Sequence, residues 1–179
     1  MPIEKDIVER AVRGDKDAFA QLYEKHFDRI YRYIYFRLGS KAVTEDLTQD
    51  VFLKALEAIG SFQWRRSPFA AWLYRIAHNQ VVDYFRKHSK VEKVSLEDGM
   101  ELADKSDTAS IAENELEIER MIAGIDKLTP SQKDVISLRF GAELTIAEAA
   151  KTLGKNEGTV KALQYNGVLA LKKMLLAGE

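Results

Sequence analysis

The placement of prolines and glycines constrains this chain more than any other feature. Of its three prolines, one is Pro2 and the others, Pro68 and Pro130, follow the hydroxyl residues Ser67 and Thr129. That order is a helix start, because proline in the first turn gives up an N–H that would have had no partner. Gly14, Gly39, Gly60, Gly141 and Gly154 fall where helical periodicity breaks. Between these marks apolar residues recur every three or four positions, and no segment alternates as a strand does. The chain is therefore predicted to be all-α, with two small helical domains joined by a flexible acidic linker. Helices are predicted over 3–13, 17–38 and 43–59, the last capped by Ser40 or Thr44, followed by a loop over 61–67. Another runs from the Ser67-Pro68 start to about His88, and helical spacing resumes over 111–128. Thr129, Pro130 and Gln132 then combine a capping box with proline at the first position of a helix that ends near Gly141.

The last fifty residues read as helix, tight turn, helix. Thr145 and Glu148 form a second capping box, Gly154 supplies the turn, and a new helix starts near Asn156. Ala150, Val160 and Leu163 are spaced so that two short helices cross closely over a small shared core. This is the pattern of a helix-turn-helix, and it leaves the outer face of the second helix free for a DNA groove.

Composition bounds the function. The chain has 179 residues, 46% of them apolar, enough for compact cores. It has no cysteine, which excludes disulfides and thiolate metal sites. His26, His78 and His88 lack metal-ligand spacing and no glycine loop could cradle phosphate, so neither catalysis nor a cofactor is expected. The first ten residues intersperse charged with apolar side chains and hold no continuous apolar stretch, unlike a signal or a membrane span, so a cytoplasmic protein without membrane insertion is expected. The net charge of −1 is unevenly spread: 16 Lys and Arg against 12 Asp and Glu over 1–90, 4 against 11 over 91–128, and 7 against 5 over 129–179. Two mildly basic blocks flank an acidic middle, as in a solvated linker between two nucleic-acid contacts.

Two helices carry the remaining signal. In the third, Leu47, Val51, Ala55 and Ile59 make a buried stripe widened by Phe52 and Leu56, while Asp46, Gln49 and Asp50 stay on the polar side. On physical grounds alone these are surface groups favoured near a helix N-terminus. In the fourth, Phe69, Trp72, Leu73 and Ile76 form a core stripe. Tyr74, Arg75, His78, Asn79, Tyr84, Arg86, Lys87 and His88 mix aromatic and basic groups on adjoining faces, and Trp64, Arg65 and Arg66 precede them. Aromatic faces stack on bases while cations neutralise phosphates, so this mixture suits single-stranded nucleic acid as well as a core.

Asp46-Leu47, Gln49-Asp50 and Phe52, then Phe69-x-x-Trp72-Leu73-Tyr74-Arg75-Ile76-Ala77-x-Asn79, then Leu128-Thr129-Pro130 with Gln132, and Gly158-Thr159-Val160-Lys161 together resemble the extracytoplasmic-function (ECF) group of bacterial RNA polymerase sigma factors. The resemblance covers nearly the whole chain. It implies a region 2-like domain over 1–90, an acidic linker over 91–111 and a region 4-like helix-turn-helix domain over 112–179. It further implies that Asp46, Leu47, Gln49, Asp50 and Phe52 dock on the clamp coiled coil of the largest subunit of core RNA polymerase. The minus-10 DNA would meet Trp64, Arg65, Arg66, Ser67, Phe69, Trp72, Arg75, Asn79, Arg86 and Lys87, with a flipped base captured at the 61–67 loop. The minus-35 DNA would meet Thr159, Lys161, Ala162, Tyr165 and Asn166 in the major groove. An anti-sigma factor is the further partner implied.

Two departures from the family pattern lie in the recognition helix. Leu163 followed by Gln164 suggests a rotated or widened buried stripe. Asn166-Gly167 stands where a basic residue and a small helix former are usual, and glycine costs about 1 kcal/mol relative to alanine inside a helix. Weakened or altered minus-35 preference is expected from them. Two rival readings are a stand-alone helix-turn-helix regulator and a helical interaction protein. A sensor or dimeriser would need a ligand pocket or a dimer stripe in the N-terminal half, where this chain has an acidic helix followed by an aromatic and basic one.

Overall fold

A computed structural model of the chain describes residues 3–88 and 109–178. The expected linker, 91–111, lies outside the described residues except for its last three positions. Among the described residues there is no strand. Helices α1 (Glu4–Val12), α2 (Lys16–Leu38), α3 (Lys41–Ala58) and α4 (Phe69–His88) build the N-terminal half. Helices α5 (Ala109–Asp126), α6 (Pro130–Ile136), α7 (Ile146–Leu153) and α8 (Glu157–Ala177) build the C-terminal half. A 3-10 turn, Ile59–Ser61, ends α3, and a π turn, Ser137–Gly141, continues α6.

Local chemistry sets most of the helix ends. The Asp15 carboxylate accepts from the Asp17 and Ala18 N–H groups at 3.0 and 3.1 Å, so α2 starts a residue earlier than periodicity suggests. Ser40, not Thr44, caps α3, its hydroxyl accepting from the Val43 N–H at 3.4 Å. Thr44 is buried instead, and its hydroxyl donates to the Ser40 carbonyl at 2.6 Å; Thr48 donates to the Thr44 carbonyl at the same distance. Both threonines satisfy themselves on their own helix and extend its buried stripe. Leu56, expected in that stripe, is 49% exposed. Both capping boxes form: Thr129 with Gln132, and Thr145 with Glu148 at 3.1 and 2.8 Å. The Ser67-Pro68 start differs from expectation. The Pro68 carbonyl accepts from the Trp72 N–H, so the proline precedes the first helical residue, and the Ser67 hydroxyl donates to that same carbonyl instead of capping an N–H.

The 23-residue α2 is the centre of the molecule. It packs on α1, α3 and α4 within its own half, and on α5 and the π turn of the other. Leu22, Ile30 and Ile34 are essentially fully buried along it. Each contributes roughly 2 kcal/mol through the apolar surface removed from water. His26 is also buried in this helix, and its Nε2–H donates to Glu4 Oε1 at 2.8 Å, which fastens α1 to α2.

The two halves share one apolar core, which runs from Val8 and Leu22 through Leu73 to Leu138, Ala149 and Val160. α4 packs along α7, where Thr152 Oγ1 lies 3.4 Å from the Ala71 carbonyl and Arg75 donates to the Lys151 carbonyl at 2.6 Å. This contact explains a second departure from the helical-wheel reading of α4. Its core stripe is Phe69, Leu73, Tyr74, Ala77 and Val81, with Trp72 and Ile76 only half-buried. Tyr74, expected on the mixed aromatic and basic face, is 1% exposed, and burial pushes its hydroxyl pKa up.

Candidate functional site

Three surfaces bring the sequence-predicted residues together. On α3, Asp46, Gln49 and Asp50 are exposed along one face, as the four-residue spacing of the aspartates dictates. Neither aspartate has a cationic partner among the described residues, so the face presents uncompensated negative charge. Gln49 Nε2 donates to the Tyr23 hydroxyl at 3.5 Å, and Leu47 is half-buried. Phe52 is 5% exposed, edge-on to the Tyr23 ring at 4.7 Å and stacked along the Phe27 ring at 6.2 Å. It supports the face from beneath and is out of reach of a partner.

The second surface is the loop before α4 together with the exposed side of that helix. Phe62 anchors the loop in an aromatic cluster, with ring centroids 5.4 Å from Trp64, 5.6 Å from Phe69 and 5.3 Å from Trp72. Such edge-to-face packing fixes ring orientation as well as burying area. Arg65 and Arg66 project from the loop into solvent, while Ser67 is half-buried. Phe69, expected at the DNA, is 2% exposed and belongs to the core; the four-residue spacing to Leu73 and Ala77 turns it inward. Trp64 and Trp72 each keep a partly exposed face. An open hollow of about 350 Å³ lies beside the loop, lined by Glu9, Val12, Arg13, Phe62 and Trp64. Farther along α4, Arg75, Asn79, Arg86 and Lys87 are exposed, Arg86 being paired with Asp83. His78 is not at this surface: its Nδ1 shares a hydrogen bond with the Tyr33 hydroxyl at 3.3 Å.

The third surface is the outer face of α8. Asn156 caps the helix, its side chain accepting from the Thr159 N–H at 2.7 Å. The preceding turn is made by Gly154 in the left-handed region at φ 63°. Thr159, Lys161, Ala162, Tyr165 and Asn166 are all exposed, Tyr165 at 67%. The opposite face buries Val160 and Gly167 and half-buries Leu163. Gln164 sits between the two faces and accepts from Arg139 Nε at 2.7 Å, while Arg139 also donates to the Leu144 carbonyl. Arg139 thus ties the recognition helix to the turn before α7. No spacing rule marks it, because its partners lie on other elements. Gly167 also has a role: a Cβ there would meet Ile136 Cγ1 at 2.9 Å, so the glycine lets α8 cross close over α6.

Among the described residues no group of three or more His, Asp or Glu could hold a metal ion, and no helix is long and apolar enough to cross a membrane.

Comparison with known proteins matches two stretches of the chain to family profiles. The Sigma-70 region 2 profile matches residues 22–91, and the Sigma-70, region 4 profile matches residues 124–173. The chain is 40% identical over 173 residues to the ECF RNA polymerase sigma factor BldN of Streptomyces coelicolor, covering 95% of this chain and 65% of that longer protein. It is 32% identical over 180 residues to the ECF RNA polymerase sigma factor SigW of Bacillus subtilis, covering 96% of each. Its fold is similar to that of CnrH, solved in complex with the cytosolic domain of CnrY, with a TM-score of 0.77 at 23% identity over 98% of this chain and 99% of that one. With both sigma regions matched in order and SigW aligned from end to end, the chain belongs to the ECF group of RNA polymerase sigma factors.

Proposed function

We propose that this protein is an alternative sigma factor that binds core RNA polymerase and directs promoter-specific initiation through minus-10 and minus-35 elements. One observation carries the reading: an exposed acidic face without cationic partners and an aromatic, cationic loop occupy one half, and an exposed recognition helix occupies the other. A stand-alone regulator needs only the last of these. Residues 1–90 serve polymerase docking and minus-10 melting, 91–111 serve as linker, and 112–179 read the minus-35 element.

Asp46, Gln49 and Asp50, with Leu47 at the edge, meet the clamp coiled coil, and Phe52 holds their helix in place. Arg65 and Arg66 draw the melted strand to the loop, Trp64 and Trp72 offer stacking faces, and the hollow beside Trp64 has room for an unstacked base. Arg86, Lys87 and Arg75 hold backbone phosphates, and Asn79 contacts the same strand. Thr159, Lys161, Ala162, Tyr165 and Asn166 enter the major groove. Asn166 offers a paired amide contact to adenine where a cation would prefer guanine, which shifts the minus-35 preference. The protein performs no catalysis of its own, acts in the cytoplasm, and is restrained by an anti-sigma factor.

Run-off transcription tests the proposal. Core polymerase plus this protein should initiate from promoters that neither component uses alone. No stimulation across a randomised promoter library would sink it, and DNA binding without stimulation would favour a stand-alone regulator.

A further inference from the structure

We propose that α1 reads the base captured at the loop before α4, Glu9 accepting a hydrogen bond from the base's exocyclic amino group and Arg13 holding the phosphate of the same nucleotide. The site then favours adenine, cytosine and guanine over thymine, which has no amino group. This rests on the promoter reading above and adds to it two residues that precede the Sigma-70 region 2 match, which begins at residue 22.

The hollow beside the loop has walls of two kinds. Phe62 and Trp64 come from the loop, and Glu9, Val12 and Arg13 come from the C-terminal end of α1. They meet because α1 packs on the 3-10 turn Ile59–Ser61 that leads into the loop. Aromatic rings beside a valine suit the flat face of a base. They offer a bare phosphate nothing, and the Glu9 carboxylate would repel one. The wall also holds a leftover donor, since Trp64 Nε1 is buried with no hydrogen-bond partner among the described residues.

The two arginines at the end of α1 are put to different uses. Arg10 is committed to the fold, its Nε and Nη2 reaching Asp15 Oδ2 at 2.8 and 2.6 Å. The Arg13 side chain donates only from Nε, to the Glu9 backbone carbonyl at 3.2 Å, and has no carboxylate partner among the described residues. Its charge is therefore uncompensated at the rim of the hollow. The Glu9 carboxylate is nearly as uncommitted: Lys5 Nζ lies 3.9 Å away, in a pair exposed enough to count for little. Arg65 and Arg66, directly after Trp64, add exposed positive charge from the loop.

Chemistry divides the work between the two groups. An ionised carboxylate only accepts hydrogen bonds. Cytosine N4, adenine N6 and guanine N2 are amino groups that can donate to it. Thymine has a single ring donor, N3–H, flanked on both sides by carbonyl oxygens that a carboxylate repels. Arg13, a cation without a carboxylate, takes the phosphate that every nucleotide carries, so its contact positions the strand and conveys no sequence.

The test uses holoenzyme assembled from core polymerase and the full chain, bound to a promoter from the run-off selection made as a fork with its minus-10 non-template strand unpaired. Each unpaired position is set in turn to A, C, G and T, and binding is measured along a salt series. At one position thymine should bind at least about fivefold more weakly than each of the other three bases. Glu9→Gln should shrink that difference to within about twofold, whatever it does to overall affinity, because an amide offers thymine's carbonyls a donor. Arg13→Gln should instead weaken all four bases alike and lower the salt slope by about 1. A purely structural role would not separate these two responses, and circular dichroism checks that both variants keep their helix content. Initiation from the selected promoter with no thymine penalty in the parent chain, or with the same base profile after Glu9→Gln, overturns the reading by α1 and leaves the sigma reading standing. No initiation from any promoter overturns both.

Discussion

Gly167 shows how a residue can look like a defect in sequence and be a fit in space. Propensity alone makes Gly167→Ala favourable by about 1 kcal/mol. Yet the added methyl would lie 2.9 and 3.1 Å from Ile136, a side chain 1% exposed in the small core under α8. Overpacking of that kind costs about 1–3 kcal/mol, so crowding wins. Gly167→Ala should lower the melting temperature, and adding Ile136→Val should recover part of the loss; a melting temperature raised by Gly167→Ala alone would show that α6 and α8 yield easily. Glu4 gives a pH prediction at the same scale. The hydrogen bond from His26, with the nearby charges of His26 and Lys25, outweighs desolvation and holds its carboxyl below its ordinary value. A lowered pKa in the folded state means stability that is present above the ordinary value near 4.5 and is lost as pH falls through the depressed one. Glu4→Gln should therefore cost about 1 kcal/mol at pH 6 and progressively less below pH 4.5, measured by urea unfolding along a pH series. A difference that grows on acidification would reverse the assignment.

At the scale of elements, legibility followed locality. The capping boxes at Thr129 and Thr145 and the turn at Gly154 are decided within four residues, and the structure has them where the sequence puts them. The inward faces of α3 and α4 were less legible, because periodicity states that a face is buried without stating what covers it. Leu56 fits the helical stripe yet is 49% exposed, whereas Thr44 and Thr48 enter the core by bonding to their own helix. Tyr74 fits a mixed polar face until α7, more than seventy residues on, packs over α4. The same limit applies to Phe69 and Phe52, whose aromatic character suits a ligand or a core equally well. The acidic face of α3 needs no such cover. Because Asp46 and Asp50 are exposed and without cationic partners among the described residues, Asp46→Ala with Asp50→Ala should leave thermal stability within about 0.5 kcal/mol. The same pair should weaken association with core polymerase at least about tenfold by losing charge complementarity at the docking face. Unchanged association with retained stability would move docking off α3.

At the scale of the molecule, the ECF resemblance read from the sequence agrees with the family assignment, while the relation between the halves was illegible. Nothing in the spacing of Arg37 and Asp134 joins them, and charge counts treat both as solvated. Their pairing depends on α2 being long enough to serve two cores, with His26 and Ile30 in its own bundle and Arg37 at the far end beneath α6. This has a consequence for unfolding. If the seam were a loose surface contact, the halves would melt separately. Instead the apolar core is continuous across it and contains a buried ion pair, so the cost of exposing one half includes stripping the other. Both tryptophans, Trp64 and Trp72, lie in the N-terminal half, so their fluorescence reports that half alone, whereas far-UV circular dichroism reports helices of both. In urea the two signals should give superimposable transitions for the parent chain. Removing Asp134 should split them, with the dichroism falling first as the smaller C-terminal bundle loses its anchor while tryptophan fluorescence holds. Midpoints already separated in the parent chain by more than about 0.5 M urea would mean that the halves are thermodynamically independent and that α2 belongs to one bundle only.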